Sequence, residues 1–166
     1  MSLTLAAVGA VLAALLQSTL VPYLAVGGAR PDLMVIVLAI ITVVVGVDHG
    51  LAVAFVGGLT IDILAFRPLG STAFVLLVAV GAAAGLGRLV PRRGGLSTIA
   101  AVLVTSLLSP LLFLVLYGAL RGPIPVDEPF ASIGPDAMYN TVIAFLAGPL
   151  AVYAHARYFE KDRIDW

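Results

Sequence analysis

Few side chains in this sequence are able to do chemistry, and their spacing does not assemble a catalytic group. Hydrolysis and group transfer need a nucleophile within hydrogen-bond reach of a base, and that base is most often histidine. The only histidines are His49 and His155, both at the edges of apolar segments. The serines lie in apolar surroundings, and none occupies the GxSxG turn of a serine hydrolase. We therefore expect no enzyme activity and no catalytic residue.

Metal and cofactor sites also lack a signal in the sequence. There is no cysteine, HExxH motif or pair of histidines to ligate a metal, and no Walker A or GxGxxG stretch to hold a phosphate. The formal net charge is zero, so nothing indicates a nucleic-acid partner. We expect no metal and no cofactor.

One charged residue is unusual because it lies inside an apolar stretch. Asp62 occurs in GGLTIDILAFRPLG, about 7 Å from the end of a helix that Pro68 terminates. A carboxylate at that depth in a membrane needs a partner. Thr60, the main chain at the end of another helix and a buried water are equal candidates, whereas Arg67 is poorly placed at the i, i+5 spacing. We expect Asp62 either to fix helix packing or to contact a ligand or partner.

Small residues recur at the four-residue spacing that lets two helices approach closely. Asp62 extends one such row, which should turn it towards a neighbouring helix rather than lipid. These rows are candidates for packing within the chain or for docking another protein's helix. They consist of Ala6, Ala10 and Ala14 in the first apolar segment, Gly50, Ala54 and Gly58 in the third, Gly81 and Gly85 in the fourth, and Ala144 and Gly148 in the sixth.

A second group of polar residues lies near the ends of two apolar segments. Gln17, Ser18 and Thr19 are adjacent near the end of the first segment, and Asn140 lies one turn inside the last. These side chains and Asp62 should lie at similar depth. A shallow polar pocket open to the outside is therefore a candidate site.

The elements that position these residues follow from the composition. Hydrophobic residues make up 61% of the 166 positions, charged residues only 11%, and the mean hydropathy is +1.14. These values are typical of an integral membrane protein. The pattern predicts a single all-α membrane domain over residues 1–166, a bundle of six transmembrane helices with a short second helix. The predicted helices cover about 3–25, 33–47, 50–66, 71–89, 96–119 and 137–155.

The second apolar run is shorter than the roughly 17 residues of a minimal membrane-spanning helix, and only VDH separates it from the third. The two runs form either a tight hairpin that crosses the membrane and returns or a pair that does not cross fully. We favour crossing, because Asp48 and His49 need an aqueous or interfacial end.

Basic residues are retained on the cytoplasmic side of a membrane, so their distribution predicts the orientation. With both termini in the cytoplasm, six Lys and Arg residues fall on the inner side and three on the outer side. The VPRRGG loop and the aromatic, charged tail HARYFEKDRIDW fit this orientation. Outside, Pro31–Asp32 and Pro135–Asp136 are helix-start signals, and the proline-rich RGPIPVDEPFASIGP should be an extended loop.

The order of these features resembles one family. A first helix that ends QSTLVPYLAVGGARPDL, a short polar turn and the segment GLAVAFVGGLTIDILAFRPLGSTAFVLLVAVGAAAGLGR are similar to the MreD family of rod shape-determining membrane proteins. The resemblance covers the first half of the chain by motif and the second half by helix count, length and termini. Its most specific positions are the pair Pro31 and Asp32 and the run Gly58, Asp62, Pro68, Leu69 and Gly70.

This resemblance implies a non-enzymatic, multi-pass protein of the bacterial plasma membrane. Such a protein would bind the single-span MreC and work indirectly with MreB, RodA and a penicillin-binding transpeptidase, supporting lateral peptidoglycan synthesis and rod cell shape. Membrane lipid is the other expected contact. Pro31, Asp32, Pro68 and Gly70 thereby join the small-residue rows as candidates for packing or partner contact.

The family also looks like the substrate-binding subunits of energy-coupling-factor vitamin transporters, which have six helices of unequal length. This similarity supplies an alternative function, in which a vitamin-sized molecule binds in the outward pocket and the row Ala6, Ala10 and Ala14 docks a coupling subunit. Clasping a vitamin usually needs aromatic and polar residues, and the single tryptophan of this chain is in its tail. We therefore favour the interaction scaffold.

Overall fold

The computed structural model describes residues 2–89, 96–121 and 133–158. In these ranges the chain is all-α, as the sequence predicts, and four of its six helices are long and apolar enough to cross a membrane. The helices are α1 (Leu3–Leu20), α2 (Leu33–Val44), α3 (Val47–Leu64), α4 (Ser71–Leu89), α5 (Leu96–Arg121) and α6 (Ile133–Tyr158). The VPRRGG loop, most of the proline-rich segment between α5 and α6, and the end of the aromatic tail lie outside the described residues.

The first helix ends at Leu20 rather than continuing to residue 25. Pro22 has no N–H to donate to the carbonyl four residues earlier, so the helix gives way to a 3₁₀ turn, Val21–Tyr23. Gly27 and Gly28 then reverse the chain with φ angles of +60° and +88°, which are rare for residues that carry a Cβ atom. The chain therefore turns back and enters α2 beside the end of α1.

The second helix is short because both of its ends are fixed. The Asp32 carboxylate caps its start by accepting the main-chain N–H of Val35 at 3.1 Å. Gly46 ends the segment with a φ of +138°, and α3 begins at the next residue. With 12 residues α2 is about 18 Å long, whereas a hydrocarbon core is ~30 Å thick. The structure thus differs from the full crossing that the sequence analysis favours for this helix.

The short α2 is also the central helix. It packs against each of the other five helices, while α1, α3, α4, α5 and α6 pack in that order around it. One apolar cluster joins α2 to α1, α3 and α4, and a second joins it to α4, α5 and α6. Because the surrounding helices are longer, a space remains beyond the N-terminus of α2. We call this end of the bundle, where α1, α3 and α5 finish and α2, α4 and α6 begin, the capped end.

Candidate functional site

Asp62 is completely buried and caps the start of α4. Its Oδ2 atom accepts the main-chain N–H of Gly70 at 2.8 Å. Its Oδ1 atom accepts the main-chain N–H of Thr72 and the hydroxyl of Ser71, both at 3.1 Å. The first N–H groups of a helix have no partner within the helix, so a carboxylate from α3 satisfies donors of α4 that would otherwise be unpaired. Its negative charge also complements the positive end of the α4 dipole.

The connection between α3 and α4 brings these donors to Asp62. The main-chain N–H of Arg67 donates to the Asp62 carbonyl at 2.9 Å, and the Ser71 N–H donates to the Pro68 carbonyl at 3.1 Å. Gly70 has a φ of +90°, a conformation that favours glycine. Pro68 and Gly70 therefore form the turn that holds the first residues of α4 over the carboxylate.

The structure decides among the partners that the sequence leaves open for Asp62. The Thr60 hydroxyl donates to the Val56 carbonyl of its own helix at 2.7 Å and is not the partner. The Arg67 guanidinium lies over the ring of Phe113 in α5, 5.0 Å from its centroid. The partner is the main chain at the start of another helix.

The start of α2 is capped from two other helices. Gln17 of α1 accepts the main-chain N–H of Leu33 at 2.7 Å, and Asn140 of α6 accepts that of Asp32 at 2.7 Å. The amide nitrogen of Asn140 donates to the Ser106 hydroxyl of α5 at 3.0 Å. Since the main-chain donors require an oxygen opposite them, these bonds also fix the orientation of both amides. Polar side chains of α1, α5 and α6 thus converge on one helix N-terminus.

Asp32 and Asp136 bind main-chain donors at the same place. Burial raises the pKa of the Asp32 carboxyl, and the hydrogen bond from Val35 and the nearby charge of Arg67 oppose this shift. Asp136, in the first turn of α6, accepts the main-chain N–H of Arg30 at 2.7 Å. Pro31, between these two anchored positions, is fully buried. The segment between α1 and α2 is therefore tied to α6.

These groups surround an open cavity of about 910 Å³ at the capped end. The apolar part of its lining includes Val35, Ile61, Val75 and Leu76. The polar part receives side chains from every helix or from the loops that join them. It comprises Gln17, Ser18, Arg30, Asp32, Arg67, Thr72, Ser106, Ser109, Asp136 and Asn140.

The predicted outer polar pocket coincides with this cavity for three of its four residues. Gln17, Ser18 and Asn140 are part of the lining. Thr19 is not, because its hydroxyl donates to the Leu15 carbonyl at 2.8 Å on an exposed face of α1. Asp62 lies behind the wall that Thr72 contributes, so it shapes the cavity without lining it.

The small-residue row of α1 packs inside the chain. Ala6, Ala10 and Ala14 are 1%, 0% and 0% exposed. A Cβ atom placed on Gly57 of α3 would lie 3.4 Å from the Cβ atom of Ala10. This row is covered by α3 and its neighbours, so it leaves no accessible face for a coupling subunit.

The row of α3 serves the same purpose towards two other helices. A Cβ atom on Gly58 would lie 2.6 Å from the main-chain nitrogen of Ala73 in α4, which is closer than real Cβ atoms approach. A Cβ atom on Gly50 would overlap the Thr42 hydroxyl of α2, and Ala54 between them is fully buried. The row therefore sets the distance between α3, α2 and α4 and ends at Asp62.

Several residues of the cavity were not predicted from the sequence. Ser106, Ser109, Pro110 and Phe113 line it from α5. Their three- and four-residue spacing places them on one helix face, and this register was the available signal. No histidine or cysteine is among the described residues of the lining, whose polar groups are hydroxyls, amides, carboxylates and guanidinium groups.

Comparison with known proteins identifies a family. The model of a family described as rod shape-determining protein MreD matches residues 2–153 of the 166-residue chain. No curated protein and no solved structure matches the chain. The chain therefore belongs to the MreD family. The members of this family are shape-determining membrane proteins, and the family is not a known enzyme family.

Proposed function

We propose that this member of the MreD family is a non-enzymatic component of the bacterial cell-elongation complex. It binds an MreC-like, single-span membrane protein and thereby supports lateral peptidoglycan synthesis and rod cell shape, with MreB, RodA and a penicillin-binding transpeptidase as indirect partners. Family membership supports the shape-determining role. The observation that supports a helical membrane partner is an uncovered face of α4.

This face carries a small-residue pair that nothing in the described chain fills. Phe74, Val78, Gly81 and Gly85 recur at three- and four-residue spacing, so they share one side of α4. Phe74 and Val78 are 54% and 37% exposed. A Cβ atom on Gly81 or Gly85 would meet no atom within 4 Å. We call these four residues the α4 outer face.

The small-residue rows of α1 and α3 are used for packing inside the chain, whereas the Gly81–Gly85 pair is not. In lipid, the burial of apolar surface does not drive helices to associate, so close packing matters more. A pair of small residues lets a second helix approach closely. A single-span partner presents one helix, which suits the small-residue pair of the α4 outer face. The proposal therefore places the MreC-like helix against the α4 outer face.

The orientation belongs to the same proposal. The capped end faces outside and both termini lie in the cytoplasm of a bacterial cell. Arg88 and the VPRRGG loop then lie inside. α2 reaches from the inner surface only to the cavity, and the 26 residues of α6, about 39 Å long, are sufficient to cross.

Co-purification tests this proposal. Gly81→Leu combined with Gly85→Leu fills the α4 outer face, and we expect it to reduce recovery of the co-expressed MreC-like partner about tenfold or more. Gly9→Leu is the matched control, because Gly9 is also an exposed helical glycine with no atom within 4 Å of an added Cβ. Equal recovery with the double variant and the wild type would contradict docking on this face, and no complex with the wild type would contradict the scaffold itself.

The alternative function, a vitamin-binding subunit of a transporter, draws support from the cavity alone. No solved structure matches the chain, and the α1 row that would dock a coupling subunit is buried. Native mass spectra of the purified chain that stay free of a vitamin-sized ligand would rule against it.

A further inference from the structure

The cavity at the capped end has the size and composition of a ligand site. At about 910 Å³ it falls within the roughly 300–1,000 Å³ range of small-molecule pockets. Aliphatic side chains such as Ile61, Val75 and Leu76 form part of its lining, and charged groups form another part. A molecule with an apolar portion and a charged head matches both parts.

The sign of that head follows from which charges are already matched. The described residues of the lining include two carboxylates. Asp32 caps α2, and Asp136, in the first turn of α6, accepts the main-chain N–H of Arg30. Both therefore compensate the positive ends of helix dipoles. The guanidinium groups of Arg30 and Arg67 have no ion-pair partner among the described residues, and that of Arg67 rests on the Phe113 ring. Arg67 lies near enough to Asp32 for its charge to lower the pKa of that carboxyl, but among the described residues neither guanidinium group of the lining is hydrogen-bonded to a carboxylate. Both guanidinium groups therefore keep N–H donors for an anionic head.

Two buried hydroxyl groups in the lining also lack a partner. Ser109 and Thr72 are each 5% exposed, and within the described residues neither Ser109 Oγ nor Thr72 Oγ1 makes a hydrogen bond. Ser109 precedes Phe113 by four residues on α5, so its hydroxyl lies one turn from the ring that holds the Arg67 guanidinium. A buried hydroxyl without a partner is unfavourable. A change of rotamer would turn these hydroxyls from their buried positions towards an oxyanion in the cavity, which would accept hydrogen bonds from them and from the guanidinium groups.

We propose that the cavity binds the phosphate-bearing head of an amphiphile, with Arg67 and Ser109 contacting the phosphate and the aliphatic lining contacting the start of an acyl chain. Arginine suits phosphate because its planar fork donates two parallel hydrogen bonds. The ligand class is a lipid phosphate, and free inorganic phosphate is the other source of the same chemistry. The inference does not depend on the partner helix at α4.

Native mass spectrometry of the full chain in a maltoside detergent distinguishes these sources. The probes are dioleoyl phosphatidic acid, which has both parts, dioleoylglycerol, which lacks the phosphate, and inorganic phosphate, which lacks the chains. We expect phosphatidic acid to bind in a saturable manner. Each of the other two probes should bind at least about tenfold more weakly than phosphatidic acid.

Variants then place the ligand in the cavity. Arg67→Gln should weaken phosphatidic acid binding about tenfold, the scale of one lost charge-assisted contact. Arg88→Gln removes the same charge from an exposed position on α4 at the opposite end and should change binding by less than about twofold. Ser109→Ala removes a hydroxyl that makes no hydrogen bond within the described residues, so it should weaken binding without lowering the thermal midpoint.

Three results would overturn the proposal. Equal losses in Arg67→Gln and Arg88→Gln would mean that the lipid binds the surface non-specifically. Diacylglycerol binding as tightly as phosphatidic acid would remove the role of the phosphate. Inorganic phosphate binding as tightly as phosphatidic acid would remove the role of the acyl chains.

Discussion

The Asp62 cap makes a prediction that separates hydrogen-bond geometry from charge. Asparagine at position 62 keeps one acceptor oxygen, and in the Oδ2 position that oxygen faces the N–H groups of Gly70 at 2.8 Å and Thr72 at 3.2 Å. The amide nitrogen then faces the Ser71 hydroxyl, which is able to accept as well as donate. Asp62→Asn should therefore preserve the cap, whereas Asp62→Ala removes it.

The expected magnitudes follow from the donors that lose a partner. In Asp62→Ala the part-buried N–H of Gly70 and the buried N–H of Thr72 lose their acceptor, at roughly 1–3 kcal/mol each, so the free energy of unfolding should fall by about 4 kcal/mol. In Asp62→Asn the bonds become neutral rather than charge-assisted, and we expect a loss of about 1 kcal/mol. Asp48→Ala is the matched control, because Asp48 is an exposed carboxylate in the first turn of the same helix. It should lose at most about 1 kcal/mol.

The assay is a titration of sodium dodecyl sulfate into maltoside micelles that contain the full chain, followed by far-ultraviolet circular dichroism. Asp62→Ala should lose the most free energy of unfolding, and Asp62→Asn and Asp48→Ala should lose similar, smaller amounts. If Asp62→Asn is as damaging as Asp62→Ala, the negative charge itself is required and the hydrogen-bond account is refuted. If Asp62→Ala is as mild as Asp48→Ala, the cap does not stabilise the bundle.

Two further predictions use the same titration. Gly58→Ala should lower the free energy of unfolding by about 1–3 kcal/mol, because the added Cβ atom would meet the main chain of Ala73. Gly81→Ala, where the added Cβ atom meets no atom within 4 Å, should stabilise α4 by up to ~1 kcal/mol. Equal effects of the two substitutions would refute the close approach of α3 and α4. Asn140→Ala should lower the free energy of unfolding by about 1–3 kcal/mol, because the Asp32 N–H loses its acceptor. Thr141→Val removes a hydroxyl that is hydrogen-bonded only within its own helix and should lower it less. The reverse order would contradict the cap of α2.

The sequence predicts the helical fold well because apolar runs and their breakers are local signals. The fourth helix begins and ends at the predicted residues, 71 and 89, and the third and fifth differ by a few positions. The sixth begins at residue 133 rather than 137 and ends at 158 rather than 155. The first and second helices end earlier than predicted, and in each case one residue sets the end. Pro22 ended α1 earlier than the apolar run suggests, and Gly46 ended α2 before the predicted boundary.

The site was predictable only in part, because its bonds join distant segments. The small-residue row that ends at Asp62 indicates that Asp62 faces a neighbouring helix. The sequence does not specify which helix this is or that Asp62 contacts the N-terminus of α4. Asn140 and Asp32 are 108 positions apart, and no local pattern pairs them. Arg67 is an unremarkable loop residue until its stacking on Phe113 places it at the cavity.

Docking of a partner helix on the α4 outer face is tested most directly by site-specific photo-crosslinking in living cells that express the chain together with the proposed MreC-like protein. A photoreactive phenylalanine analogue at Val78 reports on the α4 outer face, and the same analogue at Leu12, which is 56% exposed on α1, reports on a face that should meet lipid. We expect a crosslink to the single-span protein from position 78 and none from position 12. A crosslink from position 12 with none from position 78 would contradict this expectation.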